Sequence, residues 1–109
     1  MKKATIKERN QAEKILIMHS RNHNTKDTRL RAILESIIVN GWEANYTKHI
    51  YPYIEKYYQE LTENYKWNRW WFTSVVNAKV QQYTKDKSNF CWIELFERIG
   101  RWTYRLLIK

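Results

Sequence analysis

Apolar residues recur along this chain at helical spacing. Leu30, Ile33, Leu34, Ile37 and Ile38 follow the i, i+3, i+4 rule and predict an amphipathic helix. It starts near Thr25 or Asp27 and stops at Asn40-Gly41, where glycine accepts the left-handed turn that ends many helices. Upstream, Thr5-Ile6-Lys7-Glu8 has capping-box spacing and opens a first helix that runs to Arg21 or Asn22. Ala12, Ile15, Leu16 and His19 form its inner face, and Asn22-His23-Asn24-Thr25 breaks it. A short helix is expected over Trp42 to Ile50.

Pro52 suits the first turn of a third helix, because its missing N–H costs nothing there. Ile54, Tyr57, Tyr58, Leu61 and Tyr65 make its face. Asn68 caps a fourth, with Trp71, Phe72, Val75, Val76, Val80 and Tyr83 inward, although the β-branched Val75-Val76 pair weakens that helix. Lys85 to Asn89 is a polar loop. Ser88 or Asn89 caps a fifth helix carrying Trp92, Leu95, Phe96, Ile99, Thr103 and Leu106, and Gly100 within it costs about 1 kcal/mol against alanine. Short loops between such helices predict an all-α fold, a compact single-domain bundle of about five helices.

Composition narrows the class. The chain has 109 residues, 43% of them hydrophobic, which is enough for one core. Two Gly and one Pro are too few for the turns of a sandwich or barrel, and no Gly-rich loop offers a phosphate cradle. No apolar run approaches the length that spans a bilayer, and no apolar signal segment follows the charged start. A cytoplasmic protein is expected, and the lone Cys91 excludes an internal disulfide.

Charge adds a partner class. The net charge is +9, distributed as +5 over residues 1–40, −1 over 41–66 and +5 over 67–109. A balance of this size favours a polyanion. Lys3, Lys7, Lys14 and Arg21 fall on one side of the first helix. Arg98, Arg101, Arg105 and Lys109 form a stripe on the fifth, where Glu94 and Glu97 sit four residues before Arg98 and Arg101 and neutralise half of it. Arg29 and Arg31 stand in the first turn of the second helix, where the helix dipole disfavours cations and a bound phosphate would compensate. Solvated faces explain each stripe equally simply.

The chain also carries six Trp and eight Tyr. Tyr65-Lys66-Trp67-Asn68-Arg69-Trp70-Trp71-Phe72 cannot turn every ring into one core, because successive helical residues are about 100° apart. Trp67 and Trp70 beside Arg69 suit stacking on unpaired bases or anchoring to a protein; a core cluster with a cation–π pair at Arg69 is the simpler account. Tyr51 and Tyr53, flanking Pro52, are expected at the surface as a partner or dimer patch, whereas Trp92, Trp71, Tyr57, Tyr58 and Tyr83 belong to the core.

Catalysis is not expected. His19 and His23 are spaced to meet one metal, with His49 and Cys91 in reserve, yet no ligand motif demands it and no cofactor is implied. Cys91 lacks a recognisable His partner. The resulting expectation is a small non-enzymatic protein that binds DNA or RNA through Lys3, Lys7, Lys14, Arg21, Arg29, Arg31, Arg69, Arg101 and Arg105, with Tyr51, Tyr53, Trp67 and Trp70 as anchoring rings. The rival expectation is a phage or mobile-element accessory protein that docks on and inhibits a host or defence protein or nucleoprotein with an acidic surface, or a homodimer.

Overall fold

A computed structural model describes residues 2–19, 28–63, 69–87 and 90–107, with residues 62, 63 and 69–75 described in their backbone only. The elements in order are α1 (Ile6–His19), α2 (Thr28–Val39), β1 (Glu43–Asn45), a π-helical turn (Tyr46–Ile50), α3 (Tyr51–Tyr57), α4 (Gln59–Glu63), α5 (Arg69–Gln82), β2 (Phe96–Gly100) and β3 (Thr103–Leu106). The fold is therefore mixed, helices with a three-stranded antiparallel sheet in the order β1-β3-β2, and not the expected all-α bundle.

Helix α2 is the centre of the molecule. Besides its apolar stripe, Ala32, Glu35 and Ser36 are buried, so solvent is excluded from nearly the whole circumference. α1, α3, α5 and the sheet pack around it. Each fully buried Leu or Ile contributes about 1.5–3 kcal/mol. The helix ends as its sequence predicts. Gly41 takes φ 79°, its N–H donates to Ile38 O at 3.2 Å, and Trp42 N–H donates to Ile37 O at 2.9 Å. The capping box of α1 also forms: Thr5 N donates to Glu8 Oε1 at 2.9 Å and Glu8 N to Thr5 Oγ1 at 3.2 Å.

Two segments depart from helical expectation. Residues 42–50 give β1 and the π-helical turn, because Asn45 claims local backbone groups. Its Oδ1 accepts from Lys48 N at 2.9 Å, and its own N–H donates to His49 Nδ1 at 2.9 Å. The expected third helix breaks at Tyr58 (φ −128°, ψ 52°) into α3 and α4.

The larger correction is the expected fifth helix, which is instead an arch followed by the β2–β3 hairpin. Phe96 pairs with Leu106 and Arg98 with Tyr104, with a bulge before Gly100 pairs with Thr103. Tyr104 and Leu106 are buried while Arg105 between them is exposed, the two-residue period of a strand. Gly100 is no weak spot in a helix but the last residue before the turn at Arg101-Trp102. The helical pairs Glu94–Arg98 and Glu97–Arg101 do not form; Glu97 bonds instead to Arg105 across the hairpin.

Candidate functional site

The residues expected to bind a polyanion are scattered. Lys3, Lys7 and Lys14 are exposed, the last two on the outer side of α1 beside exposed Ile17 and Met18. Arg29 and Arg31 are half-buried at the start of α2, and Arg31 lies 3.9 Å from Glu13 of α1. Arg101 is exposed at the hairpin turn. Arg105 occupies the middle strand between Glu43 and Glu97, its register partners on either side, so its charge is opposed by two carboxylates. It is not the freer cation that a helical stripe implied. Arg21 and Trp67 lie outside the described residues, as do the side chains of Arg69 and Trp70.

The tyrosine patch is not a surface patch. Tyr53 is 1% exposed and Tyr51 half-buried. Tyr53 Oη accepts from Ala4 N at 3.1 Å and donates to Glu35 Oε1 at 3.1 Å, and Tyr58 Oη donates to Glu35 Oε2. Burial, with the Glu35 carboxylate beside them, pushes both hydroxyls well above the ordinary tyrosine value, so they stay protonated and donating. This cluster ties the N-terminal segment and α3 to α2. A cleft of about 160 Å³ lined by Arg9, Asn10, Glu13, Arg31 and Glu35 opens beside it.

A different ring is displayed. Trp92, expected in the core, is 89% exposed, the largest exposure of any described large apolar residue. The chain around it is pinned to the end of α5. Cys91 N–H donates to Gln82 O at 2.9 Å, and Leu95 and Phe96 N–H both donate to Tyr83 O, at 3.0 and 3.2 Å. Tyr83 and Phe96 meet edge to face at 6.4 Å beneath. Between these pins the backbone must arch outward. Ile93 packs against the core, while Trp92 and Glu94 on either side of it are exposed. At the crest Trp92 takes φ 72°, a left-handed conformation costing about 1–2 kcal/mol for a residue with a Cβ. Trp92 contacts Phe90, ring centroids 5.8 Å apart.

Two adjoining clefts flank the arch. One, of about 450 Å³, is lined by Lys85, Lys87, Phe90, Trp92 and Glu94. The other, of about 480 Å³, is lined by Lys85, Asp86, Glu94, Phe96 and Arg98 among others. Lys85 and Glu94 belong to both. Both are open to solvent along the surface, not enclosed cavities. A flat ring, two ammonium groups and a carboxylate can together stack on a planar group, hold an anion and accept hydrogen bonds.

Sequence reasoning missed this site because Trp92 fits a helical stripe with Leu95, Phe96 and Ile99. The available signal was the loop itself: two lysines in Lys85-Asp86-Lys87, followed by Phe90 and Trp92. No protein-family model matches the chain, and no curated protein and no solved structure matches it. Among the described residues no helix is long and apolar enough to cross a membrane, and no three His, Cys, Asp or Glu side chains are grouped to hold a metal. His49 is engaged in bonding the backbone of Asn45.

Proposed function

We propose that this protein binds single-stranded nucleic acid, without catalysis, through the Trp92 arch. The observation that carries the reading is a tryptophan held almost fully in solvent, at an unfavourable backbone angle, on the rim of a cleft lined by Lys85 and Lys87. A ring exposed to this degree adds little to the fold, and stacking on a base is worth about 1–3 kcal/mol. The ammonium groups supply phosphate contacts, and the net charge of +9 draws a polyanion from a distance. Lys3, exposed ahead of α1, and Lys7 and Lys14 on the outer side of α1 add sequence-independent attraction.

The test is titration of labelled single-stranded and duplex DNA and RNA over a range of salt. Three contacts from Lys85, Lys87 and Arg98 give a log–log salt slope of about −2 for a single strand. Trp92→Ala lowers single-strand affinity about 5- to 150-fold, and Lys7→Glu with Lys14→Glu weakens all strands alike. Salt-independent binding refutes the electrostatic part, and an unaffected Trp92→Ala variant refutes the stacking part. A stoichiometric protein partner that survives nuclease treatment and is lost with Trp92→Ala assigns the ring to protein docking instead.

A further inference from the structure

The two clefts meet at Glu94, and its position is awkward for a simple phosphate track. A carboxylate beside Lys85 and Lys87 repels phosphate, yet the arch puts it on the same outward side as Trp92, two residues away. Glu94 has no ion-pair partner among the described residues: Arg98, four residues on, bonds to Gly100 O, and Glu97 holds Arg105. An ionised carboxylate only accepts hydrogen bonds. Next to a stacking ring, it is therefore placed to read the donor edge of whatever base the ring holds.

Resting on the single-strand reading above, we infer that the Trp92–Glu94 arch selects guanine. Guanine presents two adjacent donors, N1–H and the N2 amino group, at the spacing of the two oxygens of one carboxylate. Adenine and cytosine each set a single amino donor beside a ring-nitrogen acceptor, which a carboxylate repels. Uracil and thymine flank one N–H with two carbonyl oxygens. Only guanine satisfies both Glu94 oxygens, and such a charge-assisted bidentate pair is about twice as strong per bond as a neutral one. With the ring of a purine over Trp92, Lys85 and Lys87 lie in the same cleft to take the phosphate attached to that nucleoside.

The experiment compares short oligouridines carrying one central guanosine, inosine or adenosine, by fluorescence anisotropy with wild type, Glu94→Gln and Glu94→Ala. The guanosine strand binds wild type about 5- to 150-fold more tightly than the adenosine strand, the range of a good bidentate base contact. Inosine, which keeps N1–H and lacks the N2 amino group, falls between. Both variants lose the preference: the guanosine strand weakens relative to the adenosine strand, which binds at least as tightly as to wild type because a repelling carboxylate is gone, and unchanged circular dichroism shows that they fold. Equal affinity of wild type for guanosine and adenosine strands, or a preference that persists in Glu94→Ala, overturns the guanine inference and leaves single-strand binding standing. If no strand binds wild type at low salt, the single-strand reading falls and the inference with it.

Discussion

Replacing Trp92 with glycine tests whether the ring serves the fold or something outside it. Trp92 is 89% exposed, so about a tenth of a large aromatic surface, roughly 25 Å², is covered. At about 25 cal/mol per Å² that burial is worth about 0.6 kcal/mol. Glycine forgoes it and loses about 0.5–1 kcal/mol more through its greater freedom in the unfolded chain. Against this, glycine relieves the left-handed backbone at φ 72°, worth about 1–2 kcal/mol. The terms nearly cancel, and Trp92→Gly changes stability by less than about 1 kcal/mol in either direction. Trp92→Ala removes the same ring and keeps the strain, so it is the less stable of the two by up to about 1.5 kcal/mol. Urea unfolding followed by far-ultraviolet circular dichroism measures both. A core tryptophan would cost about 3–5 kcal/mol on truncation. A loss above about 2 kcal/mol in Trp92→Gly, or a glycine variant clearly less stable than the alanine one, refutes the reasoning.

Two further predictions concern the buried tyrosines. Burial raises the hydroxyls of Tyr46, Tyr53, Tyr58 and Tyr104 above their ordinary value of 10.0. Below pH 10 folded and unfolded chains are both protonated and stability is full; above it the unfolded chain releases protons that the folded one keeps, so each tyrosine removes about 1.4 kcal/mol per pH unit. Ultraviolet titration then shows the phenols of Tyr46, Tyr53 and Tyr58 ionising together with unfolding; smooth ionisation of every tyrosine in a still-folded protein contradicts it. Glu35→Ala leaves the buried hydroxyls of Tyr53 and Tyr58 without their acceptor and costs about 2–5 kcal/mol by urea unfolding, while Glu35→Gln, which keeps one acceptor oxygen, costs less. Equal losses in the two variants would contradict this, because they would show that neither the retained volume nor the one retained acceptor oxygen of glutamine supports the tyrosine hydroxyls.

The helical core was legible because its signals agree. In α2 the apolar spacing, the Asn40-Gly41 stop and the burial of Leu30, Ile33, Leu34, Ile37 and Ile38 all point one way. Thr5 and Glu8 at the start of α1 are a second case. Residues 96–106 were illegible for a physical reason. Phe96, Ile99, Thr103 and Leu106 satisfy helical spacing by coincidence, while the strand signal lies in Thr103-Tyr104 and Leu106 alternating with Arg105, and in Gly100 at the turn. Short apolar segments fit both periods, and pairing with β1, some sixty residues away, decides the outcome. Tyr53 was misplaced because proline next to it suggests a surface turn. Its ring is drawn in by a buried carboxylate on α2, 18 residues earlier, which no local pattern reports.

Aromatic abundance by itself predicted little; backbone conformation discriminates better. Among the described residues, three tryptophans adopt positive φ: Trp42 at 72°, Trp92 at 72° and Trp102 at 57°. For two of them the fold supplies a reason. Trp42 follows Gly41 in the hydrogen-bonded end of α2 and packs on the core. Trp102 closes the hairpin, its carbonyl accepts from Tyr46 N at 2.6 Å, and its ring lies 6.2 Å from that of Tyr46. Trp92 has the same strained backbone, yet among the described residues its one ring-to-ring contact is Phe90, at the edge of a cleft. Smaller residues such as glycine or asparagine tolerate this conformation at lower cost. Strain that folding does not recover is a mark of sites selected for what they bind. On that ground the arch, more than the basic stripes or the tyrosine-rich middle, is the part of this molecule to mutate first.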